Sequence, residues 1–195
     1  MSVALDPQGT PRSRAKADRR RALLEAAANL FAKRGFDRVS MEDLGSAVGV
    51  SGPAVYRHFP GKQAVLAALL IDVSQDLFEG GARVITEVED APATLRALIS
   101  FHVAFALANT DVIRVQDRDL ERLGLPDQRR VRSLQRSYID LWVGVLARLD
   151  ADADAPSLHV KAHATFGLIN STPHSGRSAS TGEILEAMAW AGLRA

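Results

Sequence analysis

The apolar residues of this chain recur every three or four positions along nearly its whole length. This period places apolar side chains on one face of an α-helix, whereas a half-buried strand needs them at alternate positions. No stretch alternates over enough residues to indicate a strand. The pattern therefore predicts an all-α protein of about nine helices.

Capping residues, glycines and prolines divide this pattern into separate helices. Ser40 and Ser51 suit N-caps, Gly35 suits a helix stop, and Pro53 suits a first helical turn. The predicted helices cover about 17–33, 40–48, 51–59, 62–79, 92–106, 111–123, 126–149, 156–171 and 182–193. Gly80-Gly81 ends the fourth helix or interrupts one that resumes through Glu89. Residues 171–180 are rich in Ser, Gly and Pro, which predicts a loop.

Composition excludes several classes of protein. The 195 residues are 47% hydrophobic and 24% charged, as in soluble globular proteins. The absence of cysteine excludes disulfides, thiolate zinc sites, iron–sulfur clusters and cysteine nucleophiles. The longest uncharged runs, 97–110 and 162–176, are too short to span a bilayer. MSVALDPQGT has no basic or apolar leader region, so we expect a cytoplasmic protein with no signal peptide. We also expect no membrane partner and no cofactor.

Charge is distributed unevenly along the chain. Residues 1–62 contain 11 Lys or Arg and 6 Asp or Glu, a net charge of +5. Residues 63–195 contain 13 and 17 of these, a net charge of −4. A basic first third on an acidic remainder indicates contact with a polyanion, although chance clustering of surface charge explains the charge equally well.

Residues 40–60 read SMEDLGSAVGVSGPAVYRHFP. Two short helices joined by a tight turn at Gly49 form the plan of a helix-turn-helix, whose second helix enters the DNA major groove. An ordinary corner in any α-helical protein has the same plan. The corner becomes informative through the residues that follow it.

The stretch from RGFDRVS through MEDLGSAVGVSGPAVYRHFPGKQAVL resembles the TetR family of bacterial transcriptional regulators. The resemblance covers about residues 17–70. It implies a three-helix DNA-binding domain over 16–62, preceded by a flexible basic arm over 1–15. It also implies a helical domain over 63–195 that binds a small effector and dimerises.

The candidate DNA contacts fall into three groups. Tyr56, His58 and Lys62 carry donors for phosphate oxygens, and by resemblance they clamp the DNA backbone. Ser40, at a helix N-terminus, suits another phosphate. The base-facing turn comprises Ser51, Gly52, Pro53 and Ala54, followed by Arg57, which contacts either a guanine edge or a phosphate. Arg12 and Arg14 on the arm suit a minor groove or phosphates, or belong to a solvated tail.

A single headpiece of this size has limited affinity, which predicts a dimer on a palindromic operator in double-stranded DNA. Two recognition helices on one face of a dimer would engage major grooves about 34–36 Å apart. Family precedent places the homodimer interface on the last two helices, about 157–171 and 182–193. Ala162, Gly167 and Ala187 would allow close packing there, although an intramolecular core explains them equally well.

Aromatic and polar residues within the apolar stripes of the second domain are candidates for an effector pocket. They are Phe101, His102, Phe105, Tyr138, Trp142, Phe166 and Asn170, with His174 as a further candidate. For each alone, a core residue satisfied by its neighbours is the simpler interpretation. The stretches FHVAFALANTDVIRVQDRDLERL, RSYIDLWVGVL and FGLINSTPHS are similar to TetR-family regulators associated with acyl-CoA catabolism. The Arg129, Arg130, Arg132 and Arg136 face is then either solvated or a site for acyl-CoA phosphates.

Other classes of function have little support. The chain has no GxSxG, no Gly-rich phosphate loop and no Rossmann fingerprint, so we expect no enzyme. A hydrolase site among His102, Asp119 and Tyr138 has no positive sign. His159 and His163 have a metal-ligand spacing that Asp154 or other acids could complete. No HExxH pattern and no cysteine accompany them, so we expect no metal site. The sequence therefore predicts a ligand-responsive repressor released by a small hydrophobic effector, such as an acyl-CoA or fatty acid derivative. A ligand-dependent activator is the alternative.

Overall fold

The computed structural model of the chain describes residues 10–174 and 178–194. Over these residues it contains nine α-helices, two short 3₁₀ helices and no strand, which confirms the all-α prediction. The α-helices are α1 Pro11–Arg34, α2 Met41–Ala47, α3 Gly52–Val55, α4 Lys62–Glu87, α5 Ala91–Ala108, α6 Thr110–Asp119, α7 Leu125–Leu149, α8 Ala155–Ile169 and α9 Thr181–Leu193. The 3₁₀ helices are Phe36–Arg38 and Leu120–Arg122. Of the predicted loop over 171–180, residues 175–177 lie outside the described residues.

The first helix begins earlier than the sequence pattern indicated. Thr10 is its N-cap and accepts a hydrogen bond from the Ser13 amide, and Pro11 occupies the first turn. The expectation of a flexible arm through residue 15 is therefore wrong for residues 11–15, because this capping pair starts a helix. Arg12 and Arg14 consequently lie on α1. Residues 1–9 of the expected arm lie outside the described residues.

The chain divides into two compact units, Met1–Leu69 and Leu70–Ala195. The division lies within α4, seven residues beyond the predicted domain boundary at Lys62. In the first unit α2 packs against both α1 and α3. Leu23, Phe31, Leu44, Val55 and Phe59 are buried in its core.

In the second unit α5 packs against α7 and α9, and α8 packs against the same two helices. The core between them includes Leu98, Trp142 and Ala162, all fully buried. Ala162 therefore belongs to the intramolecular core. α5 is long and apolar enough to cross a membrane. The core helix of a soluble protein meets the same criteria of length and composition.

Gly80 and Gly81 neither end nor interrupt α4, which runs unbroken to Glu87. A Cβ atom on Gly80 would lie 2.2 Å from Cζ of Phe101, and one on Gly81 would lie 2.5 Å from Cε2 of Tyr138. The two glycines therefore make room for aromatic side chains of α5 and α7. The helix tolerates its propensity loss, about 1 kcal/mol for each glycine, because the aromatic rings pack there.

Candidate nucleic-acid interface and effector cavity

The corner between α2 and α3 depends on two glycines. Gly49 has φ 69°, in the left-handed region that glycine adopts without strain. The Val50 amide donates to the Gly45 carbonyl at 2.9 Å, and a Cβ atom on Gly45 would lie 2.7 Å from the Val50 carbonyl oxygen. The glycine at position 45 therefore permits a close backbone approach that closes the corner.

Ser40 is the N-cap of α2 and forms a full capping box with Asp43. Its hydroxyl accepts from the Asp43 amide at 3.0 Å, and its own amide donates to Asp43 Oδ2 at 2.8 Å. This hydrogen bond from the Ser40 backbone, with a second from the Ser40 side chain, lowers the pKa of Asp43. The carboxylate already occupies much of the anion position at this helix end. A phosphate contact by Ser40 stays a prediction.

We call residues 51–57, which comprise α3 and the turn residues next to it, the recognition segment. It is short, and most of its predicted DNA contacts are exposed. α3 has only four residues, and Tyr56 and Arg57 follow it in a turn and are exposed. Pro53 and Ser51 are also exposed, whereas Gly52 is buried and Ala54 is half-buried. Ser51 is the N-cap residue, but its side chain makes no capping hydrogen bond, contrary to expectation. Its hydroxyl is therefore not used to stabilise the helix.

Three of the predicted phosphate contacts surround one open depression on the first unit. Ser40, Tyr56 and Lys62 all line it, although they are distant in sequence. Tyr56 is 52% exposed, an unusual position for an aromatic side chain without a partner surface. The depression also includes Asp37 and Glu42, so its charge is mixed.

Lys62 has a structural role that sequence reasoning missed. Its ammonium group donates to the carbonyl oxygens of Phe36 and Asp37, at 2.8 and 3.3 Å. It also lies 4.5 Å from the centroid of the Phe36 ring. Two of its three donor positions are thus used within the protein. Replacing Lys62 would disturb the first unit as well as any DNA contact, so Tyr56 is the cleaner test position.

The basic face of α1 is also partly structural. Arg19 donates from Nη1 to the Val48 carbonyl at 3.0 Å, next to the corner, and Arg20 lies 5.5 Å from the Phe59 ring centroid. Arg21 pairs with Asp18 at 3.2 Å. The partners of Arg19 and Arg20 are distant in sequence, so no local motif predicts these contacts. Arg12 and Arg14 are exposed and stay predicted DNA contacts.

His58 is half-buried between this basic helix and the corner. Burial lowers the pKa of His58, and the positive charges of Lys16, Arg19 and Arg20 lower it further. The free protein therefore holds His58 neutral at neutral pH. The same positive field would attract a phosphate group.

A phosphate beside His58 favours its protonated form, so the pKa of His58 should rise on DNA binding. Binding then takes up a proton, and DNA affinity should increase as pH falls from the pKa in the complex to the lower pKa in the free protein. Dissociation constants measured at constant salt from about pH 8 to about pH 5.5 test this. His58→Gln should flatten the dependence. Equal slopes for both proteins would contradict the contact.

The second unit contains a partly open cavity of about 50 Å³, with room for only a few water-sized groups. Side chains from α4, α5, α6 and α7 form its wall together with Asn170. The wall consists of Val73, Ser74, Leu77, His102, Phe105, Asn109, Val112, Ile113, Gln116, Gln135, Tyr138 and Asn170. None of these twelve residues is an Asp, Glu, Lys or Arg. The cavity therefore suits an uncharged, mostly apolar group.

Buried polar atoms at this cavity lack partners. Asn170 Oδ1 lies 3.3 Å from His102 Nε2 and can only accept, so Nε2 carries the proton of the neutral ring. Nδ1 of His102 and the hydroxyl of Tyr138 have no hydrogen-bond partner among the described residues. Burial lowers the pKa of His102 to about 4, an effect that the Asn170 contact opposes. It also raises the pKa of Tyr138, so both groups are neutral.

The structure brings four of the seven predicted ligand residues to the cavity wall: His102, Phe105, Tyr138 and Asn170. Phe166 and Trp142 instead pack behind it, with ring centroids 5.1 Å apart, and Phe101 packs on Gly80. The sequence prediction missed the residues from α4 and α6. Gln116 and Gln135 in particular carried no aromatic or periodic signal.

The residues of the alternative sites are paired within the protein or lie apart from one another. Asp119 is buried, and its carboxylate pairs with Arg118 and Arg122 at 2.6 and 3.0 Å. It does not line the cavity with His102 and Tyr138. His159 Nδ1 lies 2.8 Å from the Ala155 carbonyl oxygen. The described residues contain no group of three or more His, Asp or Glu that would hold a metal ion.

A helix-turn-helix unit joined through a shared helix to a helical bundle with an internal cavity defines a class of regulatory protein. Two family models match this chain. "Bacterial regulatory proteins, tetR family" matches residues 23–69, and "Tetracyclin repressor-like, C-terminal domain" matches residues 88–174. The chain belongs to the TetR family of bacterial transcriptional regulators.

The individual proteins described here share only 20–29% of their residues with this chain over the matched regions. The HTH-type transcriptional repressor KstR2 of Rhodococcus jostii (strain RHA1) is 29% identical over 132 residues, which are 67% of this chain and 65% of that protein. The chain thus spans just under two thirds of that relative's length. A TetR-family regulator from Bordetella parapertussis 12822 has a similar fold, with a TM-score of 0.78, 23% identity and coverage of 90% of this chain and 92% of that one. AibR, solved with isovaleryl coenzyme A and operator DNA, has a TM-score of 0.73 and 20% identity over 88% and 96%.

Proposed function

We propose that this protein is a cytoplasmic, ligand-responsive transcriptional regulator that binds operator DNA through α3 and the turn after it. The depression lined by Ser40, Tyr56 and Lys62 is the observation that carries the proposal. It lies on a unit whose net charge is +5, counted over residues 1–69, while residues 70–195 carry −4. Repression is the sign of regulation that the relative's name, transcriptional repressor KstR2, supports.

The proposed active form is a homodimer through α8 and α9. Val160, Ile184 and Met188 are 67%, 52% and 51% exposed, which is unusual for large apolar side chains. The small residues Gly167 and Ala187 are also exposed on these helices. A dimer through this face would bury the apolar side chains and present two recognition segments to a palindromic site.

The proposed effector places an uncharged, mostly apolar group in the cavity. An acyl chain or a neutral ring system satisfies that requirement, provided that the cavity widens around it. A ligand hydroxyl would donate to His102 Nδ1, and a ligand carbonyl would accept from the Tyr138 hydroxyl. Neither of these two atoms has a hydrogen-bond partner among the described residues. AibR was solved in complex with isovaleryl coenzyme A, which is an acyl-CoA. In this chain Arg129, Arg130, Arg132 and Arg136 are exposed, and Arg132 pairs with Glu121.

The proposed release mechanism uses α4. Val73, Ser74 and Leu77 of this helix line the cavity, and Lys62 at its start belongs to the first unit. An effector that binds more tightly to one position of α4 shifts the population toward that position. DNA affinity then falls if, in that position, the recognition segments of the two subunits no longer match the spacing of successive major grooves.

The proposal is tested by selecting bound duplexes from a random pool and measuring the selected site by fluorescence anisotropy at two salt concentrations. We expect tight, salt-sensitive binding to a palindrome, weakened by one class among acyl-CoAs, free fatty acids and neutral hydrophobic compounds. Tyr138→Phe should lower the response to that class while leaving DNA affinity unchanged. Failure to select any sequence would contradict the regulator function. Selection without release would contradict only the effector.

Tyr56→Phe should weaken binding to every DNA sequence by about tenfold or more, because it removes one hydrogen bond to a charged phosphate. Arg57→Ala should lose about 1–3 kcal/mol at a single base position if Arg57 reads guanine. If Arg57 contacts a phosphate, losses should be equal on all sequences and the salt dependence shallower. Anisotropy on a set of single-base variants of the operator measures both. Unchanged affinity for Tyr56→Phe would exclude its hydroxyl as a contact.

A further inference from the structure

A second concave site lies at the end of the helical bundle where α5 and α8 begin and α7 and α9 end. We call it the basal cleft. Its volume is about 480 Å³, within the range of small-molecule sites. Leu146, Leu158 and Leu193 contribute apolar surface from α7, α8 and α9. The basal cleft shares no residue with the wall of the effector cavity.

Three cations border these leucines: Arg96, Lys161 and Arg194. Arg96 lies 3.6 Å from the centroid of the Trp190 ring, and Arg194 lies 5.1 Å from the same ring. Stacking on an aromatic face restrains a guanidinium group while its N–H donors, which lie in the guanidinium plane, stay available at its edge. Trp190 therefore keeps both guanidinium groups beside the basal cleft, with Arg96 held more closely than Arg194.

The charge of the basal cleft is opposite to that of its surroundings. Asp150 is the one acidic residue on its wall, which gives the wall a net charge of +2. The unit as a whole, residues 70–195, carries −4. None of the three cations forms an ion pair with a carboxylate within the described parts of the chain. The cations are therefore available to a ligand.

We propose that the basal cleft binds a small anionic amphiphile, with an apolar body against the three leucines and a carboxylate or phosphate against Arg96, Lys161 and Arg194. The arginine donors match the planar geometry of a carboxylate or phosphate, and Lys161 adds a point charge. The site is separate from the proposed effector cavity, whose wall has no charged side chain. The proposal does not depend on DNA binding.

The two tryptophans of the chain allow the two sites to be observed separately. Trp190 lines the basal cleft, and Trp142 packs against the aromatic cluster beside the effector cavity. The experiment follows both indole N–H signals by ¹H–¹⁵N NMR, assigned with Trp190→Phe. Decanoate and decyl phosphate serve as anionic probes that distinguish a carboxylate from a phosphate ligand, and decan-1-ol serves as the uncharged control.

We expect at least one anionic probe to shift the Trp190 signal saturably, with decan-1-ol binding about tenfold more weakly. Lys161→Gln and Arg194→Gln should each lower the affinity for the anionic probe severalfold without changing the affinity for decan-1-ol. Asp150→Asn should raise the affinity for the anionic probe, because it removes the negative charge from the wall. Arg83→Gln removes an exposed charge that lies outside the basal cleft and outside the wall of the effector cavity, and it should change nothing. Thermal unfolding establishes that each variant is folded.

Three results would overturn the proposal. The first is the absence of a saturable Trp190 shift with either anion. The second is equal affinity for the anions and for decan-1-ol, which would leave only an apolar site. The third is a shift of the Trp142 signal alone, which would place the probe in the effector cavity.

Discussion

A Trp142→Ala variant should unfold with a free energy about 3–5 kcal/mol below that of the wild type. Trp142 is fully buried, and its ring lies 5.1 Å from Phe166 and 5.9 Å from His102, centroid to centroid. Removing the indole leaves a void among side chains of α5, α7 and α8, which are held by one another and cannot collapse into it fully. The loss is a large part of the about 5–15 kcal/mol that stabilises a typical domain.

Denaturant unfolding followed by circular dichroism measures this effect, and the chain supplies its own matched control. Trp190 has the same side chain, but it is only partly buried on the surface of α9. Trp190→Ala should therefore lose less than half as much. Equal losses for the two variants would mean that the aromatic cluster around Trp142 does not contribute to the core as the structure indicates.

Gly45→Ala should destabilise the first unit by about 1–3 kcal/mol and reduce DNA affinity more than tenfold. The added Cβ atom would lie 2.7 Å from the Val50 carbonyl oxygen and 3.2 Å from the Ser51 carbonyl carbon. Both are backbone atoms, which cannot rotate away as a side chain would. Relief requires α3 to move from α2, and that movement displaces the recognition segment.

Gly144→Ala is the matched control for this substitution. Gly144 is exposed within α7, and a Cβ atom there would meet nothing within 4 Å. Alanine has the higher helix propensity, so this variant should be as stable as the wild type or up to about 1 kcal/mol more stable. Unfolding and anisotropy measurements on both variants test the comparison. Wild-type stability and DNA affinity for Gly45→Ala would show that the corner is not closely packed.

Much of the fold could be predicted because its signals are local. The capping box of α2 involves Ser40 and Asp43, three residues apart, and the turn before α3 needs the positive φ of Gly49. A local signal was missed at Thr10 and Pro11, where a cap and a proline started α1 six residues before the predicted Ala17. The signals at Ser51 and at Gly80-Gly81 were misleading, since Ser51 makes no capping hydrogen bond and α4 continues through both glycines. The turn at Gly49 was likewise a local signal, and the resemblance to the TetR family identified the helix that follows it as the DNA-recognition helix.

The candidate site could be predicted in part. Residue types indicated that Tyr56 and Lys62 are phosphate ligands, and the structure places both at one depression with Ser40. The carbonyl partners of Lys62 on Phe36 and Asp37 had no signal, because any backbone segment offers the same oxygen atoms. For the cavity, the apolar stripes predicted aromatic and polar candidates of which some line the wall and others lie in the surrounding core. The sequence pattern could not tell these two groups apart.

The chain's local pattern thus determined most of the helices and the corner between α2 and α3, since each depends on residues within a few positions of one another. The tertiary structure alone decided which groups meet across long stretches of chain. Arg19 meets Val48 across 29 positions, and His102 meets Asn170 across 68. Burial against such distant partners makes His102 neutral and leaves its Nδ1 without a hydrogen-bond partner among the described residues. The ring of Tyr138 likewise packs against Gly81 of another helix. Desolvation and close packing of this kind arise only when separate helices come together.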